Sequence, residues 1–331
     1  MRLTKRNHSN PCWWTAFWNV DYFLQRQNRP SETLDVRKQY VFSLNVKANK
    51  VLPTIVDKVH VDQDVGLAEI TPDMARAFCK KYHPSEYRKI DRYMKQHPET
   101  LTLDFENVLT GLENCPAYDA LRAVIIKGRI DNRDEIANLS SFIFIQYLRS
   151  HAVFTSAIRH LKEVGVERFE FFWLLKNALS DPDFLYGMVV GLATSRWIIY
   201  KTNKHMFPLP DTPALIKPNN LMIALSPRML AEIDLSMRND EGSWREKDGI
   251  PKSKYREFRR RTIANTYKEI VFCDDSVLEE WRQTPEFKTR TKLMANPEAN
   301  AEALWVTGWL SLIGPKSGCG KRNCFSAAPA E

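Results

Sequence analysis

Four runs between residues 196 and 236 decide the fold: RWIIYKT (Arg196–Thr202), FPLPDTPALIK (Phe207–Lys217), NNLMIALSP (Asn219–Pro227) and MLAEIDLS (Met229–Ser236). Each is short, apolar and β-rich, and Pro or Asn-Asn separates it from the next, as in an antiparallel meander. Upstream the periodicity is helical. Thr71-Pro72 offers an N-cap followed by Pro at the first helical position, opening helix up to about His97, with a second helix over Pro84–Gln96. Residues 101–128 read as helix, with Phe105, Val108, Leu109 and Leu112 as its apolar stripe and Pro116 as a break. Asp134–Ser150 is apolar on nearly every side (Ile136, Leu139, Phe142, Ile143, Ile145, Leu148), so it belongs in the middle of a core. Further helix is expected at 151–164 and 167–180. Gln39–Val46 (QYVFSLNV) reads as a strand, and residues 50–70 as loop with short strands.

Helices first and strands after predict an α+β fold: a mainly helical body packed against a small antiparallel β-sheet formed largely by residues 195–275. The expected organisation is one domain over 1–285, with the aromatic segment 1–30 docked on it, and a partly flexible C-terminal extension over 286–331. Trp14, Phe17 and Trp18 fall at i, i+3, i+4, which puts them on one helical face.

The chain has 331 residues, of which 44% are hydrophobic and 27% charged, enough to exclude a disordered chain or a small disulfide scaffold. Lys and Arg number 48 against 40 acids, a net charge of +8, and a positive field draws polyanions such as nucleic acid. The stretch Phe184–Ser195 (FLYGMVVGLATS) is short of the roughly 20 residues a membrane span needs, so it reads as a buried helix. The first residues carry no apolar run of signal-peptide length, and the six cysteines are scattered. The expectation is a cytoplasmic protein with free thiols and no membrane association.

Two motif matches fail on chemistry. In GPKSGCGKRNC (Gly314–Cys324) the glycine a phosphate loop needs five residues before Gly320 is Pro315, and Arg322 stands where a magnesium-binding hydroxyl belongs. Cys319 and Cys324 lack a second ligand pair, so they do not make a zinc site. Arg76…His83 and Arg92…His97 have the spacing of one helical ribonuclease class, but Ala77 and Tyr93 follow the arginines, and an exposed basic surface accounts for both. The densest positive run is WREKDGIPKSKYREFRRR (Trp244–Arg261). There Lys252, Lys254, Arg256, Arg259, Arg260 and Arg261 alternate with Trp244, Tyr255 and Phe258, as a nucleic-acid surface requires. A solvated helix face fits the same run.

Four further pieces stand out together: Asn7-His8-Ser9-Asn10-Pro11, Gln146-Tyr147-Leu148-Arg149-Ser150, Trp197 leading to Asp211-Thr212-Pro213, and Leu225-Ser226-Pro227. In their order and spacing, over residues 5 to about 275, the chain resembles the domain of unknown function 4238 family. That family opens with N-H-x-x-P before an aromatic segment and continues with acidic positions on a central helix. Q-x-x-R-[TS], a strand Trp, S-D-x-P and P-L-S-P follow. Departures are Ser9 in place of a bulky residue, Trp13-Trp14 in place of Tyr-Leu, Leu209-Pro210 before Asp211, and Ala224 in place of Pro. The family has no assigned reaction, so the resemblance implies positions and not chemistry.

The residues themselves support two readings. A buried Arg149 needs a carboxylate, phosphate or carbonyl partner. Asp211, in a Pro-flanked turn, or Glu113, seven residues from Glu106 on the same helical face, could supply it, making a structural network that pins helix to sheet. In the catalytic reading His8, Glu113, Gln146, Arg149 and Asp211 converge. Arg149 then clamps a phosphate, His8 acts as general acid or base, and Glu113 with Asp211 holds a divalent cation, Mg or Mn. The expected activity is a phosphate-directed, metal-aided, nuclease-like hydrolase acting on nucleic acid or nucleotides. The competing expectation is a non-catalytic nucleic-acid-binding or protein-interaction module.

Overall fold

The computed structural model describes residues 6–8, 10–29, 35–46, 48–63, 67–104, 116–150, 162–163, 165–180, 182–217, 219–238 and 243–293. In chain order the N-terminal part contains β1 (Arg6–His8), α1 (Cys12–Thr15), α2 (Val20–Asn28), β2 (Tyr40–Asn45), β3 (Lys50–Ile55), β4 (Val61–Gln63) and β5 (Leu67–Ile70). The helical part contains α3 (Pro72–Tyr82), α4 (Tyr87–Gln96), β6 (Leu101–Asp104), α5 (Pro116–Lys127), α6 (Arg133–Arg149), α7 (Arg168–Ser180) and α8 (Pro182–Ala193). The strands β7 (Ser195–Lys201), β8 (Leu209–Pro210), β9 (Leu215–Lys217), β10 (Asn220–Ser226), β11 (Met229–Arg238) and β12 (Ser243–Asp248) follow. The described chain ends with α9 (Lys252–Asn265), β13 (Glu269–Phe272), α10 (Asp275–Arg282) and α11 (Pro285–Leu293). The class is α+β, and no described helix is long and apolar enough to cross a membrane.

Local chemistry sets the helix starts. The Thr71 side chain accepts from the Met74 N–H, and Pro72 fills the first turn, where its missing N–H costs nothing. Asn132 caps α6 in the same way through the Glu135 N–H. α6 is apolar all round because it is packed all round: Leu139, Phe142, Ile143 and Phe144 are buried, and α5 and α8 lie against it.

The meander forms a five-stranded sheet in the order β12-β7-β11-β10-β9. It is antiparallel except at one edge, where β12 runs parallel to β7, Trp244 opposite Trp197 and Asp248 opposite Lys201. A second, four-stranded sheet has the order β3-β2-β13-β8 and takes in the strands expected at 39–46 and within 50–70. It joins residues 40–55 to 209–210 and 269–272, so the β structure is not confined to residues 195–275. The expected helix over 101–128 is also corrected. Leu101–Asp104 is a strand paired with β5, and the later helix begins at Pro116. Residues 105–115, with Glu106 and Glu113, lie outside the described residues, as does nearly all of 151–164.

The N-terminal aromatic segment docks through its rings. Trp14, Phe17 and Trp18 are buried, and the two indole N–H groups donate to backbone carbonyls of the meander, Trp14 Nε1 to Leu225 O (2.9 Å) and Trp18 Nε1 to Phe207 O (2.8 Å). At the other end the fold runs past residue 286. Phe287 on α11 is buried and α11 packs on α9 and α10, so this part of the expected extension belongs to the body. Residues 294–331, including Cys319 and Cys324, lie outside the described residues.

Candidate functional site

Asn10 is where the distant motifs begin to meet. It is fully buried, and its amide Nδ2 donates to Pro210 O (2.9 Å) and to His60 Nδ1 (2.8 Å). Pro210 offers only a carbonyl here, which fixes the amide nitrogen toward it. His60 Nδ1 must then accept, leaving the ring proton on Nε2. The imidazole is neutral: burial, with the charges of His8 and Lys268 adding to it, lowers its pKa to about 3. His60 itself sits at φ 55°, and its backbone N–H donates to Glu269 Oε2 (3.0 Å).

Next to Pro210, Asp211 anchors backbone. Its carboxylate accepts the N–H groups of Tyr267 (2.9 Å), Lys268 (2.5 Å) and Glu269 (3.0 Å), while its own N–H donates to Glu269 O (3.0 Å). The residue is 4% exposed. A carboxylate used in this way shapes the turn into β13. Both carboxylate oxygens of Asp211, the residue expected as a catalytic group and metal ligand, accept main-chain amides. Glu113, its expected companion, lies outside the described residues.

The Q-x-x-R-S piece arrives from the helical side. Gln146 is fully buried and its Nε2 donates to the Tyr118 hydroxyl (2.9 Å), inside an aromatic cluster of Trp13, Tyr118 and Phe142. Gln146, expected at the reacting centre, thus lies behind these rings. Arg149, the last residue of α6, is 8% exposed. The following Ser150 donates its hydroxyl to Thr212 Oγ1 (3.2 Å), joining α6 to the Asp211-Thr212-Pro213 turn. The fourth piece joins through the Trp14 bond to Leu225 O. The four motifs thus meet at one junction of helices and sheets.

His8 ends β1, held opposite Val61 of β4, and its Nδ1 is 3.3 Å from Val59 O. Four residues later, at the start of α1, Cys12 Sγ lies 3.6 Å from His8 Nε2 and 3.7 Å from Nδ1. Asp57, in the short 3-10 turn after β3, completes a group whose donor atoms all lie within 4.8 Å of one another. All three side chains are half-buried, and Asp57 also faces Arg37 at 3.5 Å. This His/Cys/Asp group could hold a metal ion. The sequence signal for it was the H-x-x-x-C spacing of His8 and Cys12; Asp57 had none. A thiolate and an imidazole suit zinc or a similar borderline metal better than the Mg or Mn expected from carboxylates alone.

The basic run divides. Lys252, Arg256 and Arg260 are exposed at i, i+4, i+8 on α9, a single stripe. The other three are less exposed and carry ion pairs within the fold. Lys254 pairs with Glu232 and Glu257, Arg259 with Glu280 and Glu286, and Arg261 is buried against Glu257 and Leu215 O. The interleaved aromatics are also used internally: Phe258 is fully buried, and the Tyr255 hydroxyl accepts from Trp281 Nε1 (2.9 Å). Base stacking on Phe258 is closed off.

Comparison with protein-family models, with curated proteins and with solved structures returned no match.

Proposed function

We propose that the protein is a metal-aided hydrolase directed at phosphate esters, with its ion held by His8, Cys12 and Asp57. The observation that carries this reading is the geometry of the group. A tetrahedral ion with ordinary Zn–N and Zn–S bonds separates its nitrogen and sulfur ligands by about 3.5 Å, and His8 Nε2 lies 3.6 Å from Cys12 Sγ. Donation of the Nδ1–H to Val59 O leaves Nε2 as the ligating nitrogen, the usual outer-shell arrangement for a metal-bound histidine. Three protein ligands leave one position for water, the pattern of catalytic rather than structural sites. An ion bound there supplies a water acidified toward neutral pH and a Lewis acid for a phosphoryl oxygen. The excess of positive charge, with the Lys252, Arg256 and Arg260 stripe exposed, favours a polyanionic substrate such as nucleic acid. The meeting of the four motifs supports divergent kinship with the domain of unknown function 4238 family.

A second reading, a non-catalytic nucleic-acid-binding module, is favoured by the internal use of Gln146 and Asp211. One experiment separates the two. Chelator-treated protein is titrated with zinc, manganese and magnesium, then incubated with bis(p-nitrophenyl) phosphate, single-stranded DNA, RNA and nucleotides. The hydrolase reading expects stoichiometric zinc binding that His8→Ala and Cys12→Ser abolish, together with metal-dependent turnover. Absence of metal binding overturns it; metal binding and nucleic-acid retention without turnover select the module.

A further inference from the structure

We propose a second site, a cleft of about 550 Å³ at the carboxyl ends of β7 and β12, that binds a phosphomonoester carrying a ring, of the class of a nucleoside monophosphate. The volume falls within the roughly 300–1,000 Å³ range of small-molecule sites. Its position follows from the topology. β7 and β12 are the parallel pair of the five-stranded sheet, both chains leave the sheet at the same end, and the paired residues Lys201 and Asp248 form one edge of the cleft. Parallel strands that stop together and turn away open a crevice beyond their carboxyl ends.

The lining carries an unbalanced charge. Lys201 is neutralised, its Nζ 2.7 Å from Glu246. Lys204 and Arg228 also line the cleft, and neither makes an ion pair among the described residues. The Arg228 Nε is buried with no hydrogen-bond partner among them. The cleft's own carboxylate, Asp248, is exposed at the rim and pairs with neither the exposed Lys204 nor the half-buried Arg228. Burying a guanidinium nitrogen without an acceptor is costly, and an anion relieves that cost. Arginine with lysine fits a phosphate dianion, the guanidinium as a fork and the ammonium as a point charge.

The walls are pre-formed. The Arg228 guanidinium is stacked 5.5 Å over the Phe23 ring, and the Arg228 backbone N–H donates to Ser226 Oγ (3.2 Å). Thr202 N–H donates to Arg228 O (2.9 Å), tying the loop after β7 to the β10–β11 turn. Gly249, at φ +77°, turns the chain out of β12 and donates to Lys201 O (2.7 Å), tying the third loop to the first. Met206 and Ile250, both half-buried in the lining, supply an apolar face beside the cations, on which a ring can rest.

The full-length protein is titrated calorimetrically with AMP, adenosine and inorganic phosphate. AMP is expected to saturate the protein, more tightly than either of the others. Lys204→Ala and Arg228→Gln are each expected to weaken AMP by roughly tenfold or more, the effect of losing one charge-assisted contact. Lys204 is exposed, so its replacement tests the site without threatening the fold, and melting temperature checks Arg228→Gln. Lys89→Ala, on the exposed face of α4, is expected to change nothing. AMP affinity unchanged in both cleft variants, phosphate binding as tight as AMP, or no saturation into the millimolar range overturns the proposal. None of these residues belongs to the His8, Cys12 and Asp57 group, so either site can fail without the other.

Discussion

The segment from His8 to Cys12 faces two ways. Through Asn10 it enters a closed junction in which the Asp211 carboxylate holds three backbone amides and a neutral His60 is sealed from solvent. Through His8 and Cys12, its two ends, it borders a half-buried group that has ligand chemistry but little packing to do. The difference is one of how hydrogen-bonding capacity is used. In the junction the acceptors serve main-chain donors, which is what a fold needs from a buried acid. In the open group an imidazole nitrogen and a thiol face one another, which contributes little to a fold and much to a metal.

The largest test of that contrast is Asp211→Asn. An amide replaces one acceptor oxygen by a donor facing other donors, so unfolding stability in urea should fall by about 3 kcal/mol. His8→Ala, measured the same way without metal, should cost less than about 1 kcal/mol. A small effect at Asp211 would erase the distinction.

The junction should also set a pH limit. His60 has a folded pKa of about 3 against an ordinary value of 6.5, so the unfolded state binds the extra proton. Its contribution to stability is complete above pH 6.5 and is lost as pH falls toward 3, with a slope of at most about 1.4 kcal/mol per pH unit. Asn tolerates the left-handed backbone at this position, and His60→Asn should remove that slope from the pH profile of urea midpoints. An unaltered profile would place the acid sensitivity elsewhere.

Asn10→Ala removes the donor shared by Pro210 O and His60 Nδ1 and should cost about 2 kcal/mol. The smallest effect belongs to the exposed stripe. Lys252→Ala, Arg256→Ala and Arg260→Ala should each change stability by no more than about 0.5 kcal/mol. Any nucleic-acid affinity, however, should lose part of its salt dependence, about one counterion per lost phosphate contact. Arg261→Ala, by contrast, should destabilise before it affects binding, because that side chain is buried.

What the sequence made legible was local. The all-apolar pattern of α6, the Thr71-Pro72 start of α3 and the alternating runs of the meander each carry their cause within a few residues. The partners of the charged groups do not. Nothing near Lys254 announces Glu232 on β11, and nothing near Asp211 announces Tyr267, Lys268 and Glu269. SWREKD in β12 lacks an apolar alternation because only its pairing with β7 makes it a strand. The same distance hid Asp57 from His8 and Cys12, and kept Arg228 and Lys204 from reading as one site.

The docking of Trp14 and Trp18 sets a clock on synthesis. Their indole partners, Leu225 O and Phe207 O, lie 211 and 189 residues further along the chain. At roughly 5–20 residues per second, those aromatic rings leave the ribosome about 10–40 s before the strands that cover them exist. Until then the segment is a run of exposed indole and phenyl surface, a natural handle for a holding chaperone. Its burial is expected to be a late event in folding.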